Sequence, residues 1–245
     1  MSVRLPIIAI AVLLASPLAA LADTPTAEQI LERMHAAYAN LSAYSDTGTV
    51  TTEDKNVGAP GTIEHHSFVT RFKAPKQFYF AFTKDPKGYD ERFVIWCGGE
   101  AMSTWWSASQ ATDTYPQGTG GNAFAVGELP TAGSLLLVPP LLFAAFDLQG
   151  PLALAKEATL SGTESLGGHK TYVLTTELAT NHWGGNTRTT KIWVDADTFL
   201  VRKVMEDTPT GLGAGVIERV TVTFEPTTTA TFAADAFSFK PPQPQ

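Results

Sequence analysis

The chain has 245 residues, of which 44% are hydrophobic, 10% aromatic and only 17% charged, so it carries enough apolar surface for a sizeable core and is not a disordered protein. Its net charge is −7, which removes the electrostatic footprint needed for nucleic-acid binding. One cysteine, Cys97, excludes an internal disulfide framework.

Residues 1–22 read as a secretory signal: Met1 to Arg4 is a short basic region, Leu5 to Leu18 an apolar stretch, and Ala20-Leu21-Ala22 a small-x-small cleavage site. Pro6 and Pro17 fall inside it, and it is too short for the roughly 20 residues of a spanning helix. Cleavage after Ala22 leaves residues 23–245 as one domain, with net charge −8 once Arg4 is gone. No cysteine follows the signal as a lipidation site, so an exported chain without a stable membrane anchor is expected.

The next segment, from about 26 to 41, repeats Ile30, Met34, Ala37, Tyr38 and Leu41 at helical spacing. Thr26 and Gln29 have the spacing of a capping box, and Glu28 suits the positive end of the helix dipole. From Asp46 the period changes to two, and the chain's 32 threonines supply many of the polar alternates. Phe78, Phe80 and Phe82 share one strand face, as do Val220, Val222 and Phe224. Further strands are predicted at 63–73, 92–97, 101–106, 158–163, 170–177, 188–195, 199–206 and 216–224, separated by turn residues such as Asp85-Pro86-Lys87-Gly88, Leu166-Gly167-Gly168 and Asp195-Ala196-Asp197. Short connections predict an antiparallel meander.

Residues 129–154 break the pattern, with no charge between Glu128 and Asp147. Pro139-Pro140 is expected to split this stretch into two short helical pieces, which opposes a membrane span and favours a lid over a concave apolar face. Gln117 to Gly121 is read as a loop, and Pro241 to Gln245 as a loose tail.

Motifs for catalysis are missing: the chain has no G-x-S-x-G, H-E-x-x-H, P-loop or CxxC string, and Gly211-Leu212-Gly213-Ala214-Gly215 lacks both the last glycine and the helix of a dinucleotide loop. Adjacent His65 and His66 point to opposite faces of a strand, so they do not share a metal ion, and exposure is expected for them and for His182. Asp195 and Asp197 read as turn residues rather than a catalytic pair, and Cys97 as a small buried residue without function. No catalytic residue, metal or cofactor is expected.

Several strings resemble the LolA-like superfamily. Ile30-Leu31-Glu32-Arg33-Met34 through Tyr44-Ser45-Asp46 is similar to its helix and first strand, and Phe72-Lys73-Ala74-Pro75-Lys76-Gln77-Phe78-Tyr79-Phe80 to its "f-k-r-P-x-k-f-r-f" strand pair. Lys191 through Lys203 resembles its "l-W-i-D" hairpin and Phe237-Ser238-Phe239-Lys240-Pro241-Pro242 its "F-x-F-x-p-P" end. The likeness is to the superfamily's uncharacterised periplasmic proteins more than to the lipoprotein carrier, whose lid-latching arginine is replaced by Ala74 and whose extra C-terminal element does not follow Pro242. The resemblance implies an incomplete antiparallel β-barrel, mainly β with an N-terminal helix and a helical lid, in the periplasm. It also implies a non-catalytic, monomeric protein whose hollow takes an apolar ligand, a lipid or lipoprotein acyl chain. Phe78, Phe80, Phe82, Trp96, Leu136, Leu142, Phe143, Phe146 and Trp193 are the expected ligand-binding residues. The alternative is an envelope protein-interaction or stress-sensing module with a filled barrel.

Overall fold

The structure, a computed structural model, describes residues 24–55, 61–84, 91–116, 118–143, 150–155, 157–179, 187–209 and 217–242. The signal segment 1–22, the turn at 85–88, Phe146, His182 and the 211–215 glycine string lie outside them.

Helix α1 spans Ala27–Ala39. Thr26 Oγ1 accepts from the Gln29 amide at 3.2 Å and Gln29 Oε1 accepts from the Thr26 amide at 3.0 Å, so both members of the capping box are formed. Ile30, Leu31, Met34 and Tyr38 form its buried stripe, and the Val201 amide donates to the Tyr38 hydroxyl at 3.0 Å, which fixes the helix on the sheet.

Six strands follow: β1 (Ala43–Lys55), β2 (Ile63–Lys73), β3 (Gln77–Lys84), β4 (Glu91–Cys97), β5 (Met102–Trp106) and β6 (Ala111–Tyr115). After the helical insertion come β7 (Thr159–Leu166), β8 (His169–Ala179), β9 (Thr187–Asp195), β10 (Val201–Pro209) and β11 (Ile217–Phe224). They form one antiparallel sheet in the order β6-β5-β4-β3-β2-β1-β11-β10-β9-β8-β7. Two meanders therefore meet where β1 pairs β11, with β6 and β7 left at opposite ends; the sheet is open, an incomplete barrel rather than a closed one. β6 was not among the predicted strands, because Ala-Thr-Asp-Thr-Tyr at a sheet edge buries almost nothing and has no apolar alternation to read.

The insertion contains α2 (Gly120–Gly127), two 3₁₀ turns (Leu129–Thr131 and Ser134–Leu136), α3 (Pro139–Leu142) and α4 (Pro151–Leu154). Two expectations are corrected here. Gly120 and Gly121 open a helix rather than a loop, since Phe124 is drawn into the core and takes its neighbours with it. The stretch 129–154 holds four short helical pieces among the described residues rather than two; Pro139-Pro140 separates the second 3₁₀ turn from α3 and starts the latter, because the missing amides fall in the first turn, where they have no intrahelical partner to lose.

Strand parity gives the sheet two different faces. The inner face carries Tyr44, Val50, Phe68, Phe72, Phe78, Phe80 and Phe82 on β1–β3 and Leu174, Ile192, Val204 and Val222 on β8–β11, all buried beneath α1 and the insertion. Gly48 occupies an inner position where a Cβ would overlap the Phe68 ring and the Thr223 carbonyl, and this close approach allows Phe68 to stack on Phe80 with centroids 5.5 Å apart. On the outer face Ala81, Val94 and Trp105 form a second small core with Val69, Tyr79 and Trp96. A C-terminal strap covers it: Thr227 bridges Ser45, the Ala236 carbonyl accepts from Arg71 Nη1 at 3.2 Å, and Phe239 lies 5.3 Å from Trp96 and 5.4 Å from Trp105.

Candidate functional site

The inner face of β2–β4 and the insertion define the candidate site. Phe143 sets its ring edge-on to Phe72 at 5.3 Å and to Phe78 at 5.1 Å, and Phe124 of α2 lies 5.6 Å from Phe78 and 5.8 Å from Phe143. These rings prefer tilted and edge contacts because edge hydrogens meet the negative ring face. Leu142 is buried beside them and Leu136 is half-buried against the same core. Gly127 marks the closest approach, since a Cβ there would run into Leu135 and the Phe93 ring.

The insertion's polar side chains satisfy their own backbone. Thr131 Oγ1 donates to the Gly127 carbonyl at 2.7 Å and Ser134 Oγ to the Thr131 carbonyl at 2.8 Å, so what it offers the sheet is apolar side chains. His35 Nε2 donates to the Leu152 carbonyl at 3.0 Å and links α4 to α1.

Phe78, Phe80, Phe82, Leu142 and Phe143 are thus buried in one inner core with Leu136 against it, whereas Trp96 and Trp193 are not. Trp96 pairs Tyr79 in register and faces the strap. Trp193 is one residue out of phase with Ile192 and Val194; its Nε1 donates to Glu164 Oε2 at 2.7 Å and Lys203 Nζ sits 4.3 Å above its ring. Both tryptophans follow from parity, and neither lies on the face of Phe78. Phe146 is outside the described residues.

A charged pair lies on the inner face that the sequence reading did not single out. Arg188 Nη1 donates to Glu206 Oε2 at 2.9 Å, and Thr190, fully buried, stands opposite Glu206 in register. Burial pushes the Glu206 carboxyl up, against the opposing pull of Arg188. The signal was present, since Glu206 is two residues from Val204, and Thr190 and Arg188 are two and four from Ile192, all with the same parity.

Asp195 has the structural role expected of it. Its Oδ1 accepts from the amides of Asp197 and Thr198, each at 3.0 Å, and Oδ2 accepts from Arg202 Nε at 3.0 Å with His169 Nδ1 at 3.1 Å. Burial works to raise its pKa, but these amide bonds and the guanidinium together hold it below the usual carboxylate value. Arg202 and His169 border an outer cleft of about 730 Å³ that Arg71 and Thr227 also line.

Cys97 is buried on the inner side, and burial pushes its thiol up, away from the reactive thiolate. His65 and His66 do point apart, but His66 is buried rather than exposed, because Val50 pairs it in register on the core side and the Phe82 ring lies 5.3 Å away. Among the described residues no three His, Cys, Asp or Glu side chains gather into a metal site, and no helix is long and apolar enough to cross a membrane.

No protein-family model and no curated protein matches the chain. Solved structures do. The LolA superfamily protein NE2245 from Nitrosomonas europaea is similar at 11% identity over 88% of this chain and 99% of its own, with a TM-score of 0.33. LprF from Mycobacterium bovis is similar at 12% identity over 81% of this chain and 90% of its own, TM-score 0.41. MucB in complex with MucA(peri) is similar at 18% identity over 86% of this chain and 58% of its own, TM-score 0.41. The LolA-like group that the sequence strings resemble is among the matches. The open half-barrel itself is defined by its strand register and by the insertion on its inner face.

Proposed function

We propose that this chain is a non-catalytic binding protein of the cell envelope, which takes an acyl chain of a lipid or lipoprotein between the insertion and the Phe78/Phe80/Phe82 face. The observation that carries this reading is the seam itself: Phe143 meets Phe72 and Phe78 through ring edges, while the hydroxyls of Thr131 and Ser134 bond within the insertion. An apolar guest can therefore replace apolar contacts without stranding those polar groups. The segments at the seam are short, α3 and α4 having four residues each, so helix cooperativity adds little to hold them in place. Each CH₂ transferred from water contributes roughly 0.8 kcal/mol, so a chain of about ten carbons supplies roughly 8 kcal/mol, enough for micromolar affinity before ordering costs. Export by the N-terminal signal gives a mature chain starting at Asp23, which mass analysis of the secreted product checks directly.

The test is titration of the mature chain with a fluorescent dodecanoic acid. Saturable micromolar binding that weakens at least fivefold in Phe143→Ala supports the proposal. A wild-type chain that binds no lipophilic probe overturns it. That result would favour the second reading, a protein-interaction module with a filled barrel, which draws on Phe78 and Phe80 being fully buried against the chain's own side chains.

A further inference from the structure

We propose that Arg188, Thr190 and Glu206 form a polar subsite on the inner face that receives the head of the acyl ligand, selecting heads with a carbonyl oxygen and an O–H or N–H close to the chain. The inference rests on the binding reading above and adds to it the chemistry of the ligand's polar end.

Parity places the three residues on the inner side. Glu206 follows Val204 by two on β10 and pairs Thr190 and Val220 in register; Thr190 and Arg188 precede Ile192 by two and four on β9. Ile192, Val204 and Val222 belong to the inner core, so the polar group continues an apolar surface at one end.

Unused hydrogen-bonding capacity is the second observation. Arg188 Nε, Thr190 Oγ1 and Glu206 Oε1 are buried atoms without a hydrogen-bond partner; the Thr190 hydroxyl is close enough to favour the Glu206 anion but outside bonding geometry. Buried polar atoms in native proteins are nearly always paired, and leaving one unpaired costs about 1–3 kcal/mol. An Arg–carboxylate pair can satisfy itself by a two-pronged contact, as the chain does one strand position away: Arg219 Nε and Nη2 each donate to a different Asp207 oxygen at 2.6 Å. The Arg188–Glu206 pair instead has one bond, at 2.9 Å. It retains a donor, Nε, for a carbonyl oxygen, and an acceptor, Oε1, for an O–H or N–H, with the Thr190 hydroxyl serving either. The Arg188 side chain is 27% exposed against 11% for Glu206, so the pair can be reached from one side.

The experiment competes unlabelled ligands against fluorescent dodecanoic acid on the mature chain, below their micelle concentrations. Glycerol monododecanoate represents a free-lipid head, dodecanoyl-glycinamide an acylated peptide, and methyl dodecanoate a head with a carbonyl but no donor. Wild type should bind at least one of the first two tenfold or more tightly than methyl dodecanoate, and the tighter of them identifies the source. In Glu206→Gln, where an amide N–H can replace the acceptor Oε1, and in the near-isosteric Thr190→Val, that ratio should fall towards one, with denaturation midpoints reporting that both variants fold. A wild-type ratio near one, or a ratio unchanged in both folded variants, overturns the subsite while leaving acyl binding intact. If fluorescent dodecanoic acid itself does not bind, the binding reading falls and the subsite with it.

Discussion

Tyr44 donates its hydroxyl proton to Asp46 Oδ2 at 2.5 Å, from two residues away on the same strand, so both side chains leave β1 on its inner face and are buried together. The Tyr38 ring lies 5.8 Å from that of Tyr44, which couples α1 to the carboxylate. Burial pushes Asp46 up to about 6, against the Tyr44 hydrogen bond and the nearby Thr70, which favour its charged form. Its folded pKa thus lies above the unfolded value of 3.8, so the folded state prefers the protonated acid. This preference is fully present below about pH 4 and is lost as pH rises through about 6, a change on the order of 3 kcal/mol. Urea midpoints of wild type and Asp46→Asn at about pH 4.5 and 7.5 check this. Asp46→Asn should gain on wild type at the higher pH, and parallel pH profiles would count against it.

Asp195 predicts the opposite slope. Its folded pKa is depressed, so the stability it contributes is present above its unfolded pKa and is lost as pH falls through the folded one. Asp195→Ala removes two amide bonds and the Arg202 partner from a site that is 1% exposed, and should cost about 3 kcal/mol. Asp195→Asn keeps an oxygen for the turn amides and should cost less. Equal losses in the two variants would show that the turn amides contribute nothing beyond the ion pair.

Phe143 and Leu136 separate the seam from its rim. Phe143 is 2% exposed and touches Phe72, Phe78 and Phe124, so Phe143→Ala should cost about 3–5 kcal/mol by denaturant titration. Leu136 is only half-buried, and Leu136→Ala should cost about 1 kcal/mol. A Phe143→Ala loss as small as that of Leu136→Ala would mean that the insertion is not seated on the aromatic face in solution.

Gly48→Ala places a methyl group against the Phe68 ring, which is packed on Phe80 and Phe224, and against the Thr223 carbonyl, which cannot retreat without moving the β1–β11 pairing. A loss of about 2 kcal/mol or more is expected. A neutral effect in thermal unfolding would indicate a looser junction between the two meanders than the strand register shows.

The local patterns were legible because single elements determine them. Thr26 and Gln29 announce their capping box within one turn, Phe78, Phe80 and Phe82 alternate along one strand, and Asp195 occupies a turn whose amides its own side chain can reach. Arg188 and Glu206 were also within reach of parity, but a charge on an apolar face reads as ordinary solvated polarity until the facing strand shows it buried.

From the sequence alone came α1, the strands other than β6 and the antiparallel pairing of neighbours, all consequences of period and turn chemistry over a few residues. Which face each side chain takes in the run Phe93-Val94-Ile95-Trp96-Cys97 was decided only by tertiary structure. Both faces of β4 are covered, the inner by the insertion and the outer by Phe239 of the strap, so the run is apolar throughout and carries no alternation. The same holds for the insertion, where Phe124, Leu135 and Phe143 take their places from the rings and backbone they meet on the sheet. Segments of three to eight residues are too short for their own propensities to set their shape, and it is the aromatic face beneath them that does so.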